Sequence, residues 1–479
     1  MAAESPAGQV ETVRLWSLTE DTLVEAGDDG SLVAITWWGE YEFPGTADGV
    51  RESLGRLVLG PVSMANLAVS GPAASDAWRL SLRKVLTRLS GSVVHSLALN
   101  DGRGPVLSAI PVTQFPAFPD GPLPPGRQVR LSRFTALRAE DGALLAESPG
   151  ARYKVALLRP PAVLIATSLA SPTTVAQLAV TTGVSEAVVA DVVEFLVAAG
   201  VVLLGDDEGR FTDHGDPDTT VWSHDDLMFH TRSRTWQKGS PPEPDTVRIG
   251  AEPPVVKQVT AGPTFPLPRP DAEVLAAGDP PLTALLESDH ICPEFGERTL
   301  TASQLGEFLF RTARVRSVGP AHVPGGPSHE ASQRPYFSVA CLYELELYVG
   351  INRCADLARG IYHYDPLWHT LTLINDDAAV LDALLDMSMI AAGSHRRPAA
   401  LLTLTARMSR IAWVLGGAAY ATTLLHAGAL QQVLYLAAKA MGLAAHAVPV
   451  DSGDRVDRAL KLEWPAEVSV GECVLDFPG

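Results

Sequence analysis

A chain of 479 residues is too long for one ordinary core and predicts two or three domains. Hydrophobic residues make up 46% and charged residues 19%, which excludes a disordered or fibrous chain. With 37 basic against 55 acidic residues the formal net charge is −18, so nucleic acid and anionic lipid are not expected partners. The four cysteines, Cys292, Cys341, Cys354 and Cys473, form no CxxC pair, which argues against a disulfide framework or compact zinc site and suits a reducing compartment. The opening MAAESPAGQVETV offers neither a basic nor an apolar signal region. The most apolar stretch, Ala418 to Val448, is broken by His426, Gln431, Gln432, Lys439 and His446, so no membrane span is expected. The expected location is the cytoplasm.

Residues 1–115 read as an N-terminal α/β domain. Strands are predicted over Val13–Leu18 and Ser31–Trp38, on either side of the turn Asp28-Asp29-Gly30, then a helix over Asp76–Leu89 and strands Val93–Leu99 and Val106–Val112. The Pro/Gly-rich run from Phe115 to Gln128 predicts a linker.

Residues 125–212 predict three short strands, Val129–Leu137, Ala143–Glu147 and Tyr153–Leu158, and then three helices. The second helix is Val175–Thr181; the third begins after Ser185 and ends at Gly200. Val201–Leu204, Asp206–Gly209 and Phe211 predict a hairpin wing. The would-be recognition helix of this winged helix carries Glu186, Asp191 and Glu194 and no basic residue, which excludes a DNA-reading role. The arrangement resembles the PqqD-like peptide-recognition domains of ribosomal-peptide biosynthesis. That resemblance implies a leader peptide added to the sheet edge and packed on the third helix.

Residues 213–281 form a Pro-rich linker or arm, with eleven prolines between Gly239 and Pro281. Residues 282–479 form a second large unit, with helices Ala302–Thr312, Asp377–Ala391 and Leu425–Met441 and strands Leu342–Ile351, Gly360–Tyr364, Ala400–Ala406 and Ala444–Val450.

Several phrases of this unit occur in a telling order. They are Leu305-Gly306-Glu307-Phe308-Leu309, Arg334-Pro335-Tyr336-Phe337-Ser338, Leu342-Tyr343-Glu344-Leu345-Glu346, and Gly360-Ile361-Tyr362-His363-Tyr364-Asp365-Pro366. Ala419-Tyr420, Ala427-Gly428 and Gln432 complete the set. Together they resemble the SagB/McbC-type dehydrogenases of thiazole/oxazole-modified, thiopeptide-like peptide biosynthesis. The resemblance implies an α+β chain whose C-terminal domain is nitroreductase-like and dimeric, with FMN between subunits. Family members oxidise azolines of a precursor peptide to azoles, passing hydride to the flavin.

The same comparison exposes three departures. The family's cationic Arg-Arg-Ser-x-Arg motif falls on Ser288-Asp289-His290-Ile291-Cys292, where Asp289 opposes a phosphate. Its Pro-Ser-Gly-Gly-Ala loop falls on Phe337-Ser338-Val339-Ala340-Cys341, which keeps the serine and loses both glycines. Its catalytic Lys-Tyr pair falls on Val414-Leu415, neither of which can take a proton. No catalytic residue and no metal ligand set is therefore expected, and Ser338, Gln432, Arg232 and Arg234 remain as candidate flavin contacts.

The leading expectation is a non-catalytic paralogue that binds precursor peptide and pairs with an active FMN dehydrogenase. Its partners are the leader peptide, a dehydrogenase subunit in a homo- or heterodimer, and a cyclodehydratase. The second reading is an active FMN-dependent azoline dehydrogenase with an atypical flavin site. The Leu425–Met441 helix is expected at the dimer core, and His322 and His329 at the surface.

Overall fold

The computed structural model describes residues 11–27, 31–46, 49–67, 76–119, 121–140, 142–213, 221–233, 251–259, 262–288, 294–322, 328–449 and 454–479. The chain is α+β and divides into two compact units, Met1–Arg232 and Ser233–Gly479.

In the first unit β1 (Thr12–Leu18) precedes a meander of β2 (Leu23–Ala26), β3 (Leu32–Thr36) and β4 (Gly39–Phe43). Helices α1 (Val50–Leu59), α2 (Met64–Leu67) and α3 (Asp76–Arg88) follow, then β5 (Val93–Leu99), β6 (Pro105–Pro111) and β7 (Val129–Leu131). A second meander of β8 (Ala136–Glu140), β9 (Ala143–Glu147) and β10 (Tyr153–Leu157) leads into α4 (Pro160–Ser168), α5 (Val175–Thr182) and α6 (Glu186–Ala199). β11 (Val202–Leu204) and α7 (His224–Arg232) close the unit. A three-strand meander followed by three helices thus occurs twice.

Local chemistry sets these helix ends. Thr174 and Gln177 form a capping box at the start of α5: the Thr174 hydroxyl accepts the Gln177 N–H at 3.3 Å, and Gln177 Oε1 accepts the Thr174 N–H at 3.0 Å. At the end of α6, Gly200 adopts φ +85°, a conformation that needs no Cβ.

Strands from both expected segments share one sheet, ordered β1-β5-β6-β10-β9-β8. β6 pairs antiparallel with β10, with Leu107 opposite Leu157 and Pro111 opposite Tyr153. The linker expected over 115–128 therefore joins two parts of one sheet.

Two expectations need correction here. The strand expected over Val129–Leu137 is split by a turn in which the Thr135 N–H donates to Ser132 O (2.9 Å), giving β7 and β8. The wing is half formed, because β11 pairs with β7 while Asp206 and Arg210 close a turn. β10, the strand beside the third helix, lies inside the sheet, whose edge strands are β1 and β8. β10 is paired with β9 on one side and β6 on the other, and α6 packs on β6 and β10. The acids of α6 hold the chain's own first strand: Asp191 accepts from the Thr12 hydroxyl, and Glu194 pairs with Arg14 at 2.6 Å.

In the second unit, β12 (Thr264–Pro266), α8 (Ala272–Gly278) and α9 (Leu282–Leu286) precede α10 (Ala302–Ala313) and the hairpin β13 (Ser317–His322) and β14 (Ser328–Gln333). Then come β15 (Leu345–Ile351), β16 (Gly360–Asp365), β17 (Thr370–Asn375), α11 (Ala378–Ala391), β18 (Ala400–Arg407) and α12 (Met408–Leu415). α13 (Ala419–Ala440), β19 (Ala444–Val448), α14 (Asp454–Leu460) and β20 (Glu467–Asp476) complete it. The seven-stranded antiparallel sheet runs β12-β17-β16-β15-β18-β20-β19. Side chains alternate across it: Leu345, Leu347 and Val349 face α10 and α13, whereas Tyr348 faces the cluster built on α11 and α14.

The described part of the Pro-rich segment wraps this unit. β12 adds to the sheet edge beside β17, where Pro266 costs no central ladder bond. Upstream, buried arginines grip the backbone of the arm. Arg407 donates to Pro254 O (2.6 Å) and Val255 O (3.0 Å), and Arg410 donates to Pro253 O (2.8 Å).

α13 also corrects the dimer-core expectation. It starts at Ala419, and Leu434 is fully buried against α10 and the sheet of its own chain. The exposed large apolar residues of this helix are Tyr420, Leu424 and Leu425, the last 67% exposed.

Candidate functional site

The loop from Ser338 to Glu344 occupies the position where the resemblance implies a flavin cradle, between β14 and β15. Ala340 and Cys341 adopt φ +54° and Tyr343 adopts φ +47°. A left-handed backbone costs a residue with a Cβ about 1–2 kcal/mol. The loop thus keeps a glycine-like path without the glycines, so its surroundings must hold it there.

Three contacts do so. The Val339 N–H donates to His426 Nε2 at 2.7 Å, and Ser338 Oγ accepts the Tyr343 N–H at 3.1 Å. His329 Nε2 donates to Ala340 O at 2.9 Å. His426 comes from the middle of α13 and is fully buried; its Nδ1 faces both oxygens of Glu344, at 2.9 and 3.0 Å, also fully buried. Because a backbone N–H can only donate, the imidazole proton sits on Nδ1 and is given to Glu344.

A second polar network lies beneath the sheet. Glu346 meets Arg407 Nε at 2.8 Å as an ion pair, although both atoms lack hydrogen-bond geometry, and it accepts from His363 at 3.1 Å. The charge pairing holds regardless, since Coulomb attraction tolerates poor angles. Burial alone would lift the Glu346 carboxyl, yet Arg407, His363 and Arg334 outweigh it and hold it at about 2. Nearby, Glu467 accepts from Tyr348 (3.2 Å) and from Thr405, and pairs with Lys257 of the arm.

Ser338 is buried with its hydroxyl engaged inside the loop, and Gln432 is exposed on α13. Arg232 lies in the first unit at the end of α7 and pairs with Glu147. Arg234 lies outside the described residues, as do Asp289 to Cys292. Val414 and Leu415 are buried in an apolar cluster with Leu342, Ile411 and Ala419. These residues do not fit a flavin. The Val339 N–H is spent on His426, Cβ atoms stand on Ala340 and Cys341, and Arg334, Arg407 and Arg410 are bound to carbonyls and carboxylates of their own unit.

One expectation about histidines fails here. His329, expected at the surface, is 3% exposed because its ring reaches across to Ala340. His363 is likewise buried within its own unit, on Glu346. His426 and Glu344 were not singled out as a pair. The one signal was a histidine interrupting an apolar helix.

Residues 129–238 match the family model of the cyanobactin oxidase ThcOx. With the ordered phrases of the second unit, this match makes the chain similar to the SagB/McbC-type dehydrogenases of peptide maturation. Among solved structures, a protein named as a nitroreductase from Anabaena variabilis shares 20% identity over 52% of this chain and 45% of its own, with TM-score 0.37. One from Ralstonia eutropha shares 20% over 48% and 97%, with TM-score 0.35. A chain of the E. coli microcin synthetase McbBCD complex, with truncated pro-MccB17 bound, shares 18% over 52% and 91%, with TM-score 0.34. This chain thus spans less than half of the Anabaena protein, and likenesses this distant carry no argument about activity. No curated protein matches the chain.

Proposed function

We propose that this protein acts in azoline oxidation during ribosomal-peptide maturation as a non-catalytic subunit that binds precursor peptide and pairs with an active FMN dehydrogenase. The family match over residues 129–238 supports the pathway. The observation that carries the non-catalytic role is Val414 and Leu415, closed in an apolar cluster where the resemblance expects a proton acceptor. An oxidation of this kind removes a hydride and a proton, and neither side chain can receive the proton.

On this reading the second unit is a nitroreductase-like body kept as scaffold. The locked Ser338–Glu344 loop retains its shape, and the outward face of α13, with Tyr420, Leu424 and Leu425, meets a dehydrogenase subunit. The test is conversion of an azoline-bearing peptide, followed by mass spectrometry as a loss of two hydrogens. The chain alone should give none, and adding it to a flavin-bearing dehydrogenase subunit should raise that subunit's rate. Conversion by the chain alone would establish the enzymatic reading instead.

A further inference from the structure

The first unit holds a cleft of about 1220 Å³ between α3 and the sheet strands β1, β5 and β10. Pockets for small molecules run to about 300–1,000 Å³, so this cleft has room for several residues of peptide. Its walls are aromatic, with Trp16, Trp78, Phe115 and Phe118. Phe118 stacks on His95 at 4.2 Å and meets Tyr153 edge-on at 5.2 Å. Tyr153, 1% exposed, lies at the floor with a hydroxyl that has no hydrogen-bond partner among the described residues.

Charge names the occupant. On a chain of net charge −18, α3 carries Arg79, Arg83, Lys84 and Arg88 against Asp76 alone. Arg79 and Arg83 line the cleft, stand exposed one turn apart, and have no ion-pair partner among the described residues. Aromatic walls take apolar side chains, and the two guanidinium groups take carboxylates.

We infer that this cleft binds an acidic peptide segment anchored by apolar side chains, and that the precursor peptide enters the first unit here. The inference rests on the proposed peptide-binding role and specifies where and by what chemistry it occurs.

The test uses the full chain and two fluorescein-labelled 16-residue peptides, one alternating Glu or Asp with Leu or Phe, the other with every acid replaced by Lys. Anisotropy should show the acidic peptide bound at least about tenfold more tightly, with the preference weakening as salt rises. Arg79→Glu with Arg83→Glu should reverse the preference, an outcome that misfolding cannot produce. Equal binding of both peptides, or an acidic preference that survives the charge reversal, overturns the inference. Azoline conversion reports separately: if it is unaffected by the reversal, the precursor does not enter at this cleft, and the pathway stands.

Discussion

His426 Nδ1 lies 2.9 Å from Glu344 Oε1, with both side chains fully buried, and the opposite ring nitrogen accepts the N–H of Val339. One histidine therefore ties a long helix, the start of a central strand and a backbone-strained loop together. The left-handed residues Ala340 and Cys341 persist because this tie compensates their cost.

His426→Ala should leave the Val339 N–H and the Glu344 carboxylate unpartnered and destabilise the protein by about 3 kcal/mol. Urea unfolding measures the loss. In a background with the other three cysteines replaced by serine, Cys341 should also react faster with a thiol reagent, since its loop is released. Unchanged stability and labelling would show that the pair is not what holds the loop.

Glycine at either left-handed position removes the Cβ clash. Ala340→Gly should stabilise by about 0.5–1 kcal/mol, the relief of about 1–2 being partly offset by the freer unfolded chain. The same change at an ordinary helix position, such as Ala429→Gly, should destabilise by about 1 kcal/mol. Thermal melts of the two variants should move in opposite directions.

Two leucines of α13 separate core from interface. Leu434→Asp buries an unpaired charge and should unfold the second unit, with a loss of several kcal/mol. Leu425→Asp, on the exposed face, should leave the melting temperature within a degree or two. Its effect should appear in size-exclusion chromatography with the dehydrogenase subunit, as lost co-elution.

Glu346 gives the unit an acid dependence with a definite sign. Its carboxyl is held at about 2, below the ordinary range, so the folded state gains from its ionised form. That gain is complete above the unfolded value and is lost as pH falls through the window towards 2. Glu346→Gln should flatten stability against pH in this window, whereas Glu297→Gln, on the surface, should not. Equilibrium unfolding between pH 5 and about 2.5 decides it.

Much of the first unit could be read from sequence because its signals are local. Helix α3 runs to Arg88, within a residue of its expected end, and α5 and α6 end at Gly183 and Gly200, where glycine adopts positive φ. The pairing of β6 with β10 could not be read. Turn signals fix neighbouring strands, but nothing in Pro105–Pro111 names a partner beyond an intervening Pro-rich run. In the second unit β20, which lies between β18 and β19, was not predicted, and α1 was missed because it starts after Gly49 without a side-chain cap. At the candidate site the departures at Val339, Ala340, Val414 and Leu415 were legible as residue types. The compensation by His426, Glu344 and His329 was not, because it joins side chains from three separate elements.

The central claim, a dehydrogenase-like body without working flavin chemistry, is tested most directly by the visible absorbance spectrum of the purified chain after gel filtration with excess FMN. The account predicts no flavin band near ~450 nm, because the loop's N–H is spent on His426 and the buried arginines are committed elsewhere. One FMN retained per chain would contradict it.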